Sequence, residues 1–203
     1  MCRVRAASSF KTAEKLFDRF NDIHTHIPNR KGSILSVEAE GVEPIVIRNL
    51  GLPDDEQQYY SIQLHPWHLG EASVGEFRRV VEQCSGDPHF VAVGECGLDG
   101  ICDTPLPLQR EAFRAALQDA QRLGKPVIIH CVRLWAEMMA EVKPYMQHRT
   151  EGQEFIIHGF RKGPQLAQQL LDAGFSISLG RHYHPETMRL IPPERLYRET
   201  DEE

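Results

Sequence analysis

The chain is short of features that would assign it to several large functional classes. No apolar run approaches the roughly 20 residues needed to cross a bilayer. The Arg-bearing opening, MCRVRAASSFKTAEKLFDRF, has no apolar segment of the secretory kind. A surplus of positive charge is also lacking: the formal net charge is −6, which excludes a protein that coats nucleic acid with a broad basic surface. That balance still permits an enzyme that meets phosphate through bound cations, since those bring their own charge. Cysteines are few and odd in number (Cys2, Cys84, Cys96, Cys102 and Cys131) and show no zinc-type pairing. A reduced, cytoplasmic protein is the expectation. There is no low-complexity tract, no repeat of fixed period and no Gly/Ser linker. GECGLDG has glycines without the phosphate-cradling or dinucleotide spacing, and no Ser nucleophile sits in a tight turn. Cys131 follows His130 directly, but neighbours along a strand face opposite ways, so they form no Cys–His couple.

What is present is ordinary in amount and regular in arrangement. With 203 residues, 41% hydrophobic and 26% charged, the chain is long enough for one domain with a sizeable core. Residues 1–20 read as an extension carrying a short helix, on the spacing of Ala13, Leu16, Phe17 and Phe20. Residues 21–203 form the domain proper. Short, often β-branched runs recur along it: FNDIH, SILSVE, PIVIRN, YYSIQLH, HFVAVGE, KPVIIH, EFIIH, FSISLG and RLYRET. Amphipathic stretches lie between them. Val74, Phe77, Val81 and Cys84 share a helical face, as do Phe113, Ala116, Leu117, Ala120 and Leu123, with Gly124 and Pro126 as the stop. Trp135, Met138, Met139 and Val142 form a third stripe, and Leu166, Leu170 and Leu171 a fourth, closed by Gly174. These stripes are core packing. Strands alternating with helices predict a parallel sheet in an α/β fold. Residues 28–59 are the least regular, and the close spacing of their two runs suits a hairpin or loop better than a crossover unit.

The polar residues fall at the ends of the runs. One run ends in His24 and His26, which share a face if the segment is a strand. Others end in His65, with His68 three residues on, in Glu95, His130, His158 and Asp201. A lone His at a strand end is more often structural, and with ten His in 203 residues one close pair means little by itself. Several strands ending this way is different. In a parallel barrel all strand C-termini emerge on one face, and burying so many polar groups without partners is costly. Imidazoles and carboxylates together suit divalent cations, and one shared carboxylate would suit a two-metal site.

In order, DIHTH, LHPWH, VGECGLD, PVIIHC, IIHGF, ISLG and RETD resemble the TatD family of metal-dependent deoxyribonucleases, within the amidohydrolase-like superfamily. The match runs from about Asp22 to the last residues. The resemblance implies a distorted TIM-type (β/α) barrel, one or two divalent metal ions (Mg, Mn or Zn), and hydrolysis of phosphodiester bonds in DNA or a nucleotide. It implies His24, His26, Glu95, His130, His158 and Asp201 as metal ligands. Glu95 would bridge two cations, and Asp201 would orient or deprotonate the attacking water. His65 would lie near the substrate phosphate, with His68 beside it. Arg133, one position beyond the arginine usual in the family, stands as the phosphate-binding candidate. The segment before LHPWH is shorter than the family's, and the family continues past ETD, so the barrel is expected to be incomplete at its C-terminal end. An amidohydrolase acting on a small molecule and an inactive shortened homologue stay open as alternatives. RHYHP brings a second close pair, His182 and His184, read as a surface loop.

Overall fold

A computed structural model describes residues 16–28, 30–39, 58–70 and 73–201. Its centre is a sheet of eight strands: β1 (Asp22–Thr25), β2 (Ser33–Glu38), β3 (Tyr59–Leu64), β4 (Phe90–Asp99), β5 (Val127–Val132), β6 (Phe155–Ile157), β7 (Ser176–Leu179) and β8 (Leu196–Arg198). They lie in sequence order and every adjacent pair is parallel. Among the described residues the helices are α1 (Ser73–Cys84), α2 (Leu106–Leu123), α3 (Trp135–Gln147), α4 (Pro164–Asp172) and α5 (Pro185–Leu190). The order of elements is that of a TIM-type barrel.

Because the sheet is covered on both sides, its strands are apolar on both faces. In β5, Val127 and Ile129 point outward into a layer shared with Phe113, Leu117, Met138 and Leu170 of the helices. Ile128 points inward and packs with Ile23, Ile34, Val91, Ile156 and Tyr197. These residues fill the lower part of the barrel. Phe17, on a single 3-10 turn (Leu16–Arg19), joins them, its ring centroid 5.6 Å from that of Tyr197. The inward positions one pleat further along the strands belong to His130, His158 and Glu199, so the same alternation that fills the core lifts a polar layer above it.

The four predicted apolar stripes are α1 to α4. Gly124 ends α2 in the left-handed conformation, φ 64°, and its N–H bonds back to the last turn. α5, which begins at the last residue of RHYHP, has six residues with Thr187 as its one buried side chain, too short to leave a stripe. β2 pairs in parallel with both neighbours, so its link to β3 is a crossover; the hairpin or loop expected between the runs at 33–38 and 44–49 falls on residues outside those described. The run at 44–49 lies outside the described residues, as do residues 1–15 of the predicted extension.

The expected incompleteness takes the form of a seam. Eight strands are present, but no ladder joins β8 to β1. Thr200 bridges the gap. Its N–H donates to the His24 carbonyl at 3.2 Å, and its hydroxyl donates to Asp22 Oδ2 at 2.6 Å and accepts from Arg30 Nη1 at 2.6 Å. The residue after this staple is Asp201.

Candidate metal centre

Four histidines converge on one carboxylate. Glu95, 3% exposed, sits in β4 between Gly94 and Gly97. β4 runs so close to β5 that a side chain at either glycine would collide with the carbonyl oxygens of Ile128 and His130. The glycines of GECG therefore serve this close approach. Glu95 Oε1 lies 2.7 Å from His65 Nε2, 3.1 Å from His130 Nδ1 and 3.2 Å from His158 Nε2. Glu95 Oε2 lies 2.8 Å from His24 Nε2. Asp201 Oδ1 approaches the same His24 nitrogen at 3.1 Å and His26 Nε2 at 3.4 Å.

These contacts form two groups with ligand atoms within 4.8 Å of one another: His24, Glu95, His158 and Asp201, and His65, Glu95 and His130. Glu95 belongs to both. His65, expected near a substrate phosphate, stands inside the second group. His26 is at the margin of the first, its side chain 44% exposed.

One carboxylate cannot balance four imidazolium ions, and the electrostatics divide accordingly. Burial opposes a charge on His24, but the hydrogen bonds with Asp201 and Glu95 outweigh it and raise its pKa to about 10. Burial dominates at His65 and lowers it. At His130 burial also acts downward, and Glu95 and Asp99 together overcome it. Burial would raise Glu95 and Asp201, yet the facing histidines hold both below the ordinary carboxylate range.

The donor set fits a divalent cation. His130 Nδ1 faces Glu95 Oε1, His65 Nε2 at 3.4 Å and His158 Nε2 at 3.3 Å, and a single ring nitrogen cannot bond with all three. Nitrogens that point at one another around a carboxylate could serve as ligands of a common cation. The far ring nitrogens of His24 and His158 are buried without a hydrogen bond among the described residues.

His130 has a better-supported back. Its Nε2 lies 2.9 Å from Asp99 Oδ2, at the end of β4. The same oxygen accepts the Trp67 indole N–H at 2.7 Å, while Gln109 Nε2 donates to the Asp99 carbonyl and Gln109 Oε1 accepts the Asp99 N–H. A carboxylate behind a histidine fixes the ring's tautomer and direction. Sequence reading missed Asp99. The available signal was its position four residues after Glu95, the same inward face of one strand. Glu199 is buried too; its Oε1 accepts the Gly159 N–H at 2.5 Å and lies 3.9 Å from His158 Nδ1. Burial raises its pKa.

Other predicted residues lie further out. His68 is exposed and pairs with Glu38 Oε1 at 2.9 Å. Arg133 follows β5 with φ 64°, exposed and without a polar contact to another described residue. His182 and His184 are exposed and belong to neither group. The described cysteines form no disulfide: Cys84, Cys96 and Cys131 are buried, Cys102 partly so. Among the described residues, no helix is long and apolar enough to cross a membrane.

A 3'-5' ssDNA/RNA exonuclease TatD of Klebsiella pneumoniae is 29% identical over 187 residues, 83% of this chain and 70% of the relative. The same-named protein of Erwinia billingiae is 32% identical over 68% of this chain and 55% of its own length. A Mycobacterium tuberculosis protein described as an uncharacterized metal-dependent hydrolase TatD is 31% identical over 72% and 59%. The chain thus spans between about half and 70% of these relatives. The crystal structure of a TatD homologue of Escherichia coli K12 superposes with a TM-score of 0.72 at 24% identity, covering 92% of this chain and 80% of that one, which supports the same barrel. The family model for TatD related DNase matches residues 22–202, from the first strand through Asp201, and the chain belongs to that family.

Proposed function

We propose that this chain is a divalent-metal-dependent hydrolase of phosphodiester bonds in nucleic acid. The observation that carries the reading is Glu95, a buried carboxylate shared by two groups of metal-type ligands at the mouth of the barrel. His24, His158, Asp201 and Glu95 would hold one cation, with His26 at its open side; His65, His130 and Glu95 would hold a second. What such cations supply is Lewis acidity toward water and toward a phosphoryl oxygen.

The chain's own residues do the rest. Glu95 joins the two groups, with Oε2 meeting His24 and Oε1 meeting His158, His65 and His130. Asp99 holds His130 Nε2, so that Nδ1 faces the centre. Asp201 is ionised at neutral pH and partly open to solvent, with a side-chain exposure of 22%. One oxygen can orient an attacking water; His158, with Nε2 turned to the centre, keeps its hydrogen on Nδ1, 3.8 Å from Asp201 Oδ2. Arg133 and His68, exposed on loops after β5 and β3, are candidates to meet the outer phosphates of a strand.

The test is metal analysis of the purified chain together with hydrolysis of single-stranded DNA, RNA and small amides, with and without added Mg²⁺, Mn²⁺ or Zn²⁺. Metal-dependent cleavage of oligonucleotides but not amides is expected. Amide hydrolysis alone would move the chain to the amidohydrolase reading, and a chain without metal or activity would be an inactive homologue.

A further inference from the structure

Among the described residues, four large apolar side chains are exposed: Ile27, Trp67, Ile101 and Leu190. Three of them follow β1, β3 and β4, at the end of the barrel where the metal-type ligands emerge. Two of the three are fastened to one carboxylate. Asp99 Oδ2 accepts the Trp67 indole N–H at 2.7 Å, and Asp99 Oδ1 accepts the Ile101 backbone N–H at 2.8 Å. Trp67 is nevertheless 57% exposed and Ile101 55%. The indole is thus pinned along its polar edge and open on its face.

We infer that Trp67 and Ile101 form a ledge that stacks one unpaired nucleobase of the strand being cleaved. The inference rests on the proposed phosphodiesterase reading and names a subsite within it. The Trp67 ring centroid is 5.3 Å from that of His65 and 6.4 Å from that of His130, so the ledge borders the second group of ligands. A base one sugar away from a phosphate held over that group would reach it. The occupant is a base and not a second anion, because the partners at hand are an indole face and an isoleucine beside the carboxylates Asp99 and Glu95. It is an unpaired base, because bases inside a duplex already have both faces covered. Every base has a π-face, so the ledge tolerates any sequence. A ring already held by its N–H loses little freedom on binding.

Trp67→Phe and Trp67→Leu both remove the N–H to Asp99, so the difference between them reads the aromatic face alone. In hydrolysis assays with Mn²⁺, the KM of Trp67→Leu for a thymidine hexanucleotide should exceed that of Trp67→Phe roughly five- to hundredfold, the range that base–aromatic stacking spans. On a hexamer of abasic phosphodiesters the two variants should be equal. In a metal-stripped Trp135→Phe protein, which leaves Trp67 as the fluorophore, the thymidine hexamer should quench emission saturably and the abasic hexamer should not. KM values within twofold on the thymidine hexamer, or equal quenching by both hexamers, overturn the ledge. Base-dependent quenching with no hydrolysis in any metal keeps the ledge and overturns the phosphodiesterase reading.

Discussion

Thr200→Val tests whether the seam is held shut by one side chain. Valine keeps the shape and removes the hydroxyl. Asp22, 6% exposed, then loses its 2.6 Å donor, and Arg30 Nη1 loses the acceptor that it shares across the seam. Asp22 retains the backbone N–H groups of His24 and Thr200, each at 3.2 Å, and a longer approach by Arg30 at 3.6 Å, so the carboxylate is weakened and not stranded. A hydrogen bond to a charged group contributes about 1.5–3 kcal/mol. A loss of about 2 kcal/mol lowers Tm by about 4–8 °C in a domain of this size. Calorimetric melts of wild type, Thr200→Val, Asp22→Asn and the double variant measure the coupling directly, and the two changes should be strongly non-additive. The staple precedes Asp201, so the same substitution should also weaken Mn²⁺ binding. A Tm within 1 °C of wild type, with additive single effects, would refute the argument that Thr200 closes the barrel.

Asp99→Asn should lower metal affinity about 10- to 100-fold, the usual effect of altering a carboxylate behind a ligating histidine; titration calorimetry with Mn²⁺ reads it, and unchanged affinity would remove Asp99 from the account. His65→Ala should abolish one binding event and leave the one that involves His24 and Asp201, whereas loss of both would mean the groups are not separable. The pH dependence has opposite signs with and without metal. His24 is raised above its ordinary 6.5 to about 10, so its contribution to the metal-free fold is full below 6.5 and is lost as pH rises toward 10; Glu95 and Asp201 are lowered, so theirs is lost in acid. A cation needs the neutral imidazole, so apparent Mn²⁺ affinity should rise by about tenfold per pH unit between pH 7 and 9, and a flat profile there would contradict the protonated His24.

The convergence of the strand-end residues was legible because two periodicities coincide. Parallel strands end on one face, and within each strand alternate residues look inward, so His130 sits one pleat above Ile128 and His158 one above Ile156. The same rule separates Arg198 from Glu199: Tyr197 packs inside, so Glu199 follows it inward, and Arg198 reaches outward over the Tyr183 ring. Loop residues obey no such rule. His68 and Arg133 were named for phosphate by neighbourhood in the chain; their surroundings are set by a 3-10 turn that carries His68 to Glu38 and a left-handed residue that ends β5 at Arg133. Asp99 escaped notice because its role depends on how far β4 runs. The strand continues four residues past Glu95, buried throughout, and only that length brings Asp99 behind His130. The role of His65 depends on a distance to Glu95 that spacing along the chain does not encode.

The most direct measurement of the central claim is the metal content of Glu95→Gln. Glutamine keeps the size of the side chain and removes the charge common to both groups. Elemental analysis and Mn²⁺ calorimetry on wild type and variant, with circular dichroism to show that the barrel persists, should find both binding events lost together and oligonucleotide hydrolysis abolished at any Mg²⁺ or Mn²⁺ concentration. A folded Glu95→Gln protein that still binds metal with wild-type stoichiometry, or still cleaves at near-normal rate, would contradict a centre built on one shared carboxylate.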